Sequence, residues 1–289
     1  AQYFNGTGRC FLQAEDEVNA INMIYGAASA GARVMTGSSG PGIALMAEGV
    51  SYLAGAELPA VIVDVQRAGP GLGNIWAEQS DYNMVVKGGG HGNYRNIVLA
   101  PFSAQEMCDF TYRAFEIAEK YRMTVFILTD AYIGQIMEPV LLPREVRHAP
   151  RHDWAVYADR ESRGNLVTSI LMSTELLSEH NWKLQEKYKK VEAELVEWEE
   201  YETGDAEYLF SAFGICARIC LSAVHELRNK GIKAGLLRPK TLFPFPEKRF
   251  RELAKQVKSM VVVEMNNGQM ARDVEHAVRC SIPVLRYNW

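Results

Sequence analysis

Pro59-Ala60-Val61-Ile62-Val63-Asp64-Val65 decides the fold. Apolar residues fill consecutive positions here instead of alternate ones, so the strand they form is buried on both faces, as in a parallel sheet covered by helices. The flanking sequence supplies those helices. From Glu15 to Ala32 small and apolar residues recur at helical spacing (Val18, Ile21, Ile24, Tyr25, Ala28), and Ala32-Arg33-Val34-Met35-Thr36 reads as a strand. The Gly-rich turn Gly37-Ser38-Ser39-Gly40-Pro41-Gly42 then opens a second helix that runs through Gly55. Downstream, a Gly-rich loop from Arg67 to Asn93 precedes a strand at Ile97-Val98-Leu99-Ala100, a helix from Ser103 to Tyr121 and a strand at Thr124–Thr129. This alternation predicts an α/β domain with helices on both faces of a parallel sheet.

Periodicity fails between Pro143 and Asp159 and stays weak to Ser178, which puts the end of the first domain at 145. A charged stretch follows. Within Asn181–Tyr201, Leu184, Tyr188, Val191, Leu195 and Trp198 line one stripe, which predicts an amphipathic helix in a linker spanning 146–203. That stripe suits packing against the chain's own core or against another subunit. From 204 to 289 the alternation resumes: Tyr208–Phe213, a helix from Cys216 to Lys230 stopped at Gly231, a strand at Lys233–Leu237, a helix at Glu247–Val257, Met260–Glu264, a helix from Asn267 to Cys280, and Ile282–Leu285. The second domain is therefore also α/β.

With 289 residues, two domains are expected, since globular domains run to roughly 100–200 residues. The 48% hydrophobic and 23% charged fractions are those of a chain that buries a sizeable core. With 31 basic and 35 acidic residues the net charge is −4, which offers no electrostatic footprint for nucleic acid or an acidic membrane surface. Five scattered cysteines give no disulfide framework and point to a reducing compartment, the cytoplasm by default. Cys216 and Cys220, four apart, form neither a CxxC motif nor an iron–sulfur ligand run, so any electron carrier belongs to another chain. No apolar run is long enough to span a membrane, and Ala1–Gly6 lacks a signal-peptide pattern.

Several residues are placed to do chemistry. Gly37–Gly42 lies between a strand and a helix, where backbone N–H groups can hold an anion; it lacks the Lys-Ser/Thr of a P-loop and the GxGxxG spacing, so it reads as a tight turn or a ligand loop. Gly69-Pro70-Gly71-Leu72-Gly73 and Gly88-Gly89-Gly90-His91-Gly92 read as permissive loops, and His91 has no evident metal partner. Glu15, Asp16 and Glu17 suit the first turn of a helix. Glu17 also borders the apolar face, where a buried carboxylate would require a partner. Arg67 follows the doubly buried strand, at the sheet edge where open α/β folds bind ligands; its fork can grip a carboxylate or fix a loop through an ion pair.

Taken in order, these segments resemble the α subunit of thiamine-diphosphate-dependent 2-oxoacid:ferredoxin oxidoreductases, of the 2-oxoisovalerate or 2-oxoglutarate type. The resemblance is carried by Leu12–Met23, Gly37–Gly42, Glu48-Gly49-Val50-Ser51-Tyr52, Gly55-Ala56-Glu57-Leu58-Pro59, Arg67–Gly73, Gln79-Ser80-Asp81-Tyr82 and Gly88–Gly92. It continues through Leu99-Ala100-Pro101, Lys120-Tyr121-Arg122 and Leu236–Pro246, nearly the whole chain. It implies two three-layer α/β domains, a pyrimidine-binding domain followed by one like the C-terminal domain of transketolases. It implies that Glu17 bonds N1′ of the cofactor's aminopyrimidine, promoting loss of the thiazolium C2 proton, that Gly40, Pro41 and Gly42 let the chain approach that ring, and that Arg67 binds the 2-oxoacid carboxylate.

The same resemblance assigns diphosphate, Mg²⁺ and an iron–sulfur cluster to a β subunit and a cluster-bearing subunit, with no metal held by this chain. The complex would convert a 2-oxoacid and coenzyme A to an acyl-CoA and pass electrons to ferredoxin, and the isolated chain would be inactive. One departure stands out. Members carry a Tyr-Pro-Ile-Thr-Pro segment ahead of the glutamate motif, and this sequence starts beyond it. Gly37 and Gln66 replace an expected Ser and Met, and Trp76-Ala77-Glu78 departs from the pattern around the substrate loop. The competing expectation is a non-catalytic assembly or regulatory subunit that keeps the fold. The non-polar Gly69–Gly73 loop favours a branched-chain or general 2-oxoacid.

Overall fold

The computed structural model describes residues 7–145 and 148–288; Ala1–Gly6, the segment inspected for a signal peptide, lies outside them. The first domain is built from α1 (Glu17–Ser29), β1 (Met35–Ser38), α2 (Gly40–Gly55), β2 (Ala60–Gln66), α3 (Tyr82–Val86), β3 (Ile97–Leu99), α4 (Ala104–Tyr121), β4 (Thr124–Asp130) and α5 (Ala131–Gln135). The connection that follows carries α6 (Thr174–Glu194) and β5 (Trp198–Tyr201). The second domain holds β6 (Tyr208–Ser211), α7 (Gly214–Asn229), β7 (Ala234–Pro239), β8 (Thr241–Phe243), α8 (Glu247–Leu253), β9 (Ser259–Glu264), α9 (Gln269–Ala277) and β10 (Val284–Asn288).

Both domains are three-layer α/β units around five-stranded sheets, ordered β1-β2-β4-β3-β8 and β10-β9-β6-β7-β5. β1, β2, β3 and β4 pair in parallel, as do β6, β7, β9 and β10. Each sheet ends on one antiparallel strand, β8 against β3 and β5 against β7. These two short strands trade places across the expected boundaries. β5, within the expected linker, completes the second sheet, and β8, within the expected second domain, closes the edge of the first. The linker helix begins at Thr174, where Ser173 caps the Leu176 N–H, and stops at Glu194. Leu184, Tyr188 and Val191 bury its stripe in the core; Trp198 is a strand residue rather than a further helical turn.

The central strand is β4, buried at all seven positions. β2 is buried on both faces only at Ala60, Val61 and Ile62, and the half-burial of Val63 and Val65 opens one face at its carboxyl end. α1 sits close against α2 because Gly49 has no side chain: a Cβ there would lie 2.4 Å from Ile21 Cγ2. Gly42 is two turns before Gly49 on α2, and Glu17 is one turn before Ile21 on α1. The same packing therefore carries the Glu17 side chain to Gly42.

Candidate functional site

Asp16, not Glu17, caps α1, its carboxylate accepting the Asn19 N–H at 2.7 Å. Glu17 is thereby released to face α2. Its Oε1 accepts a 3.2 Å hydrogen bond from Ser38 Oγ, and a Cβ on Gly42 would lie 2.6 Å from that oxygen and 2.1 Å from Ser38 Oγ. Only glycine leaves room for this arrangement. Gly40 and Pro41 form the first turn of α2, so Glu17 lies by the amino ends of two helices, where N–H groups favour an anion. Among the described residues Ser38 is the one side-chain donor to Glu17, and its second oxygen is left for another group.

Ser38 is paired in register with Asp64 on β2. Asp64 is fully buried and neither of its oxygens has a hydrogen-bond partner. Burial, reinforced by the charge of Asp81, pushes its carboxyl well above the usual range. Asp81 also has one buried oxygen without a partner. Burial and the nearby Glu78 push it up to about 6, against the opposing pull of Arg67. A Cβ on Gly40 would lie 3.1 Å from its Oδ2, so this carboxyl rests on the first turn of α2.

Arg67 follows β2 directly, and its Nε is buried without a hydrogen-bond partner. The loop behind it folds back on itself. Ala68 N–H donates to Trp76 O at 2.8 Å, Asn74 N–H to Ala68 O at 2.9 Å, and Gly69 N–H to Glu78 Oε2 at 2.7 Å. Gly73 is required there: it has φ +58°, and a Cβ would overlap Ala68 O at 1.7 Å. Leu72, Ile75 and Trp76 are exposed on this loop.

Residues of the second domain hold the next segment. Gln79 N–H donates to Met265 O (2.9 Å), its Nε2 donates to Phe213 O (3.0 Å), and its own carbonyl accepts from Asn266 Nδ2 (2.8 Å). Gln269 receives the Asn83 N–H (2.7 Å) and donates to Ser80 O (2.8 Å). Asp130, at the end of β4, accepts N–H groups from Tyr132, Ile133 and, in the second domain, Ile215.

Glu17, Gly40 and Gly42 thus gather at the amino end of α2, where Asp81 rests against Gly40; among the described residues no hydrogen bond or ion pair joins Arg67 to Glu17 or to Asp81. His91 is exposed, and its carbonyl accepts from Ser51 Oγ. Among the described residues no group of three or more potential metal ligands occurs, and no helix is long and apolar enough to cross a membrane. Sequence reasoning missed Ser38, Asp81 and Asp64, although a carboxylate in an otherwise apolar strand was itself a readable signal.

Residues 2–202 match the family described as "Pyruvate flavodoxin/ferredoxin oxidoreductase, thiamine diP-bdg", and residues 206–288 match "Pyruvate:ferredoxin oxidoreductase core domain II". The chain is 59% identical over 281 residues to the ketoisovalerate oxidoreductase subunit VorB of Methanothermobacter thermautotrophicus, covering 97% of this chain and 80% of that relative. It is 37% identical over 286 residues to the 2-oxoglutarate synthase subunit KorA of Archaeoglobus fulgidus, covering 97% and 82%. Among solved structures, a 2-oxoglutarate:ferredoxin oxidoreductase from Magnetococcus marinus, with 2-oxoglutarate, coenzyme A and succinyl-CoA bound, superposes with a TM-score of 0.84 at 25% identity. That match covers all of this chain and 55% of the other, so this chain spans about half of it. A split-gene transketolase at 14% identity, covering 98% of this chain and 75% of that one, shares the fold alone, with a TM-score of 0.59.

Proposed function

The chain belongs to the pyruvate flavodoxin/ferredoxin oxidoreductase family, and from that premise we propose that it is the α subunit of a 2-oxoacid:ferredoxin oxidoreductase specialised for a branched-chain 2-oxoacid. The observation that carries this reading is the Glu17 carboxylate, bonded to Ser38 in a notch that a Cβ on Gly42 would fill. That notch, one carboxylate oxygen short of a donor, suits the ring-nitrogen edge of an aminopyrimidine.

Glu17, Gly40, Pro41 and Gly42 would hold the pyrimidine end of thiamine diphosphate. When bound, that cofactor supplies the carbon nucleophile and electron sink for decarboxylation. Glu17 would hold a proton at the pyrimidine N1′, in a setting where the low local dielectric strengthens the bond. Arg67 would take the substrate carboxylate through two hydrogen bonds, fixing the 2-oxo carbon relative to the cofactor. The loop behind Arg67, tied across itself and roofed by Leu72, Ile75 and Trp76, would exclude water and offer apolar surface to an aliphatic tail. The 59% identity to a ketoisovalerate oxidoreductase subunit supports that preference.

Diphosphate, Mg²⁺, the iron–sulfur cluster and the docking of ferredoxin would belong to the β subunit and a cluster-bearing subunit, in the cytoplasm. Residues 1–145 would form the pyrimidine domain, 146–203 the linker and 204–289 the transketolase-like domain. The test is to purify the chain with its partners and assay branched-chain, dicarboxylic and unbranched 2-oxoacids with coenzyme A and a low-potential acceptor. Branched substrates should give the highest kcat/KM. A preference for 2-oxoglutarate would overturn the substrate assignment, and a co-purified complex inactive on every 2-oxoacid would favour an assembly role.

A further inference from the structure

We propose that Gln66 is a positioning residue for Arg67: its buried amide ties the last residue of β2 both to β4 and to the backbone of Asp81, and so fixes the point from which the guanidinium reaches the 2-oxoacid. The inference rests on the reading of Arg67 as the group that grips the substrate carboxylate. Gln66 also stands where the resemblance leads one to expect Met, so a polar hold at this position is a property of this chain.

The end of β2 needs a tie because its neighbours fall away. β1 pairs with β2 only from Met35↔Val61 to Ser38↔Asp64, and the chain then turns into α2. Val65 and Gln66 keep a ladder partner on the β4 side alone, through Val65↔Thr129 and Gln66↔Asp130. The Gly-rich segment Arg67–Gly73 follows at once. A guanidinium carried by such a strand end moves with it, and a displacement of about 1 Å is enough to cost a positioned substrate much of its hold.

Gln66 closes this gap with both ends of its amide. Its side chain is fully buried, Nε2 donates to Thr129 O at 3.2 Å, and Oε1 accepts the Asp81 N–H at 3.2 Å. Thr129 lies on β4, the strand buried at every position. Asp81 lies in a segment that the second domain grips: Gln79 is bonded to Met265, Phe213 and Asn266, and Gln269 donates to Ser80 O and accepts the Asn83 N–H. On the far side of Arg67, the Ala68 N–H donates to Trp76 O at 2.8 Å. The residues before and after Arg67 are therefore both tied, while its own Nε is left without a partner.

The residue type suits the task. An amide offers a donor and an acceptor together and adds no charge beside Arg67. Methionine fills a similar volume and offers neither at that strength, so it would leave the Asp81 N–H without its acceptor and take one donor from Thr129 O.

The test uses the assembled complex, with kcat and the KM values for the 2-oxoacid and for coenzyme A measured on each variant. Gln66→Met should raise KM for the 2-oxoacid by roughly tenfold, with a smaller change in kcat and none in KM for coenzyme A. Gln66→Asn, one methylene shorter, cannot span Thr129 O and the Asp81 N–H together and should fall between; it carries the test if Gln66→Met does not assemble. Thr241→Val is the control for lost stability. Thr241 is equally buried, its Oγ1 accepts the Glu197 N–H at 3.0 Å, and β8 lies three strands from β2 in the same sheet, so this variant should lower the thermal midpoint as Gln66→Met does and leave every KM in place. Arg67→Ala should raise KM for the 2-oxoacid at least as far as Gln66→Met, and adding Gln66→Met to it should raise KM no further. An unaltered KM in Arg67→Ala overturns the reading of the substrate site and this inference with it. A raised KM in Arg67→Ala beside an unaltered KM in the Gln66 variants overturns this inference alone, and so does a KM that rises as far in Thr241→Val.

Discussion

The two ends of β2 each carry a buried carboxylate, and the chain treats them in opposite ways. At the entry, Glu57 is bound by Lys183 and by Lys187 (3.0 Å), and its carbonyl accepts Arg122 Nε at 2.9 Å. Burial alone would raise its pKa, yet Lys187 and Lys183 outweigh that and hold it at about 2. At the exit, Asp64 and Asp81 keep unpartnered oxygens and are pushed upward, with Arg67 Nε left unpaired beside them. The entry cluster is saturated because it is structural: it clamps α6 to the base of the first domain. On the function proposed above, the exit cluster is unsaturated because its partners would arrive from outside the chain. Buried polar groups without partners are expensive, and they persist where a ligand is meant to complete them.

Substitutions at the two ends should separate along this line. The largest change is expected at the entry: Glu57→Ala leaves the Lys187 charge buried without a counter-ion, held only by the Arg122 carbonyl, which should cost about 3 kcal/mol of unfolding free energy in denaturant titrations. The effect is tied to acid. With a folded-state pKa lowered from 4.5 to about 2, the contribution of Glu57 is complete above 4.5 and disappears as pH falls through about 2. A variant as stable as the parent would break the comparison at its structural end.

Arg67→Ala comes next and should act on function instead. KM for the 2-oxoacid should rise by roughly 100-fold, equivalent to about 3 kcal/mol, with the thermal midpoint almost unmoved. Loss of stability in place of affinity would mean that the exit cluster is structural as well. Gly42→Ala is a smaller perturbation. Its Cβ would displace Ser38 Oγ and the Glu17 carboxylate at a cost of about 1–3 kcal/mol, read as weaker thiamine diphosphate binding in calorimetry of the complex.

The smallest change is expected from Asp64→Asn, and its sign sharpens the contrast. A carboxyl with a raised folded-state pKa stabilises the fold at low pH and loses that contribution as pH rises from 3.8. The variant should therefore match or exceed the parent at neutral pH by up to about 1 kcal/mol. This advantage should shrink toward pH 4, and an advantage that grows in acid would contradict it.

Much of this was legible in the chain. The run Ala60–Ile62 declared the parallel sheet, and Glu17, Gly40, Gly42 and Arg67 could be singled out as candidates because each lies in a short motif whose order is itself informative. What stayed hidden depends on long-range contact. Asp81 acquires its setting from Gln269 and Asn266, bonded to its neighbours Ser80 and Gln79 across 189 and 187 residues of sequence, and no local pattern encodes such a strap. β5 and β8 are too short for alternation to be recognised, so Trp198 read as one more turn of the linker helix. The beginning of α6 escaped for another reason: Leu176, Leu177 and Trp182 are exposed, so its first turns show no core-facing stripe.

The most direct measurement concerns Glu17. In the assembled complex carrying Glu17→Gln, the exchange rate of the C2 proton of bound thiamine diphosphate is followed by quenched NMR. If the Ser38-bonded carboxylate in the Gly42 notch holds the proton at N1′, exchange should slow by about 10²–10⁴-fold while cofactor affinity and the thermal midpoint are maintained. Exchange at the parent rate would contradict it.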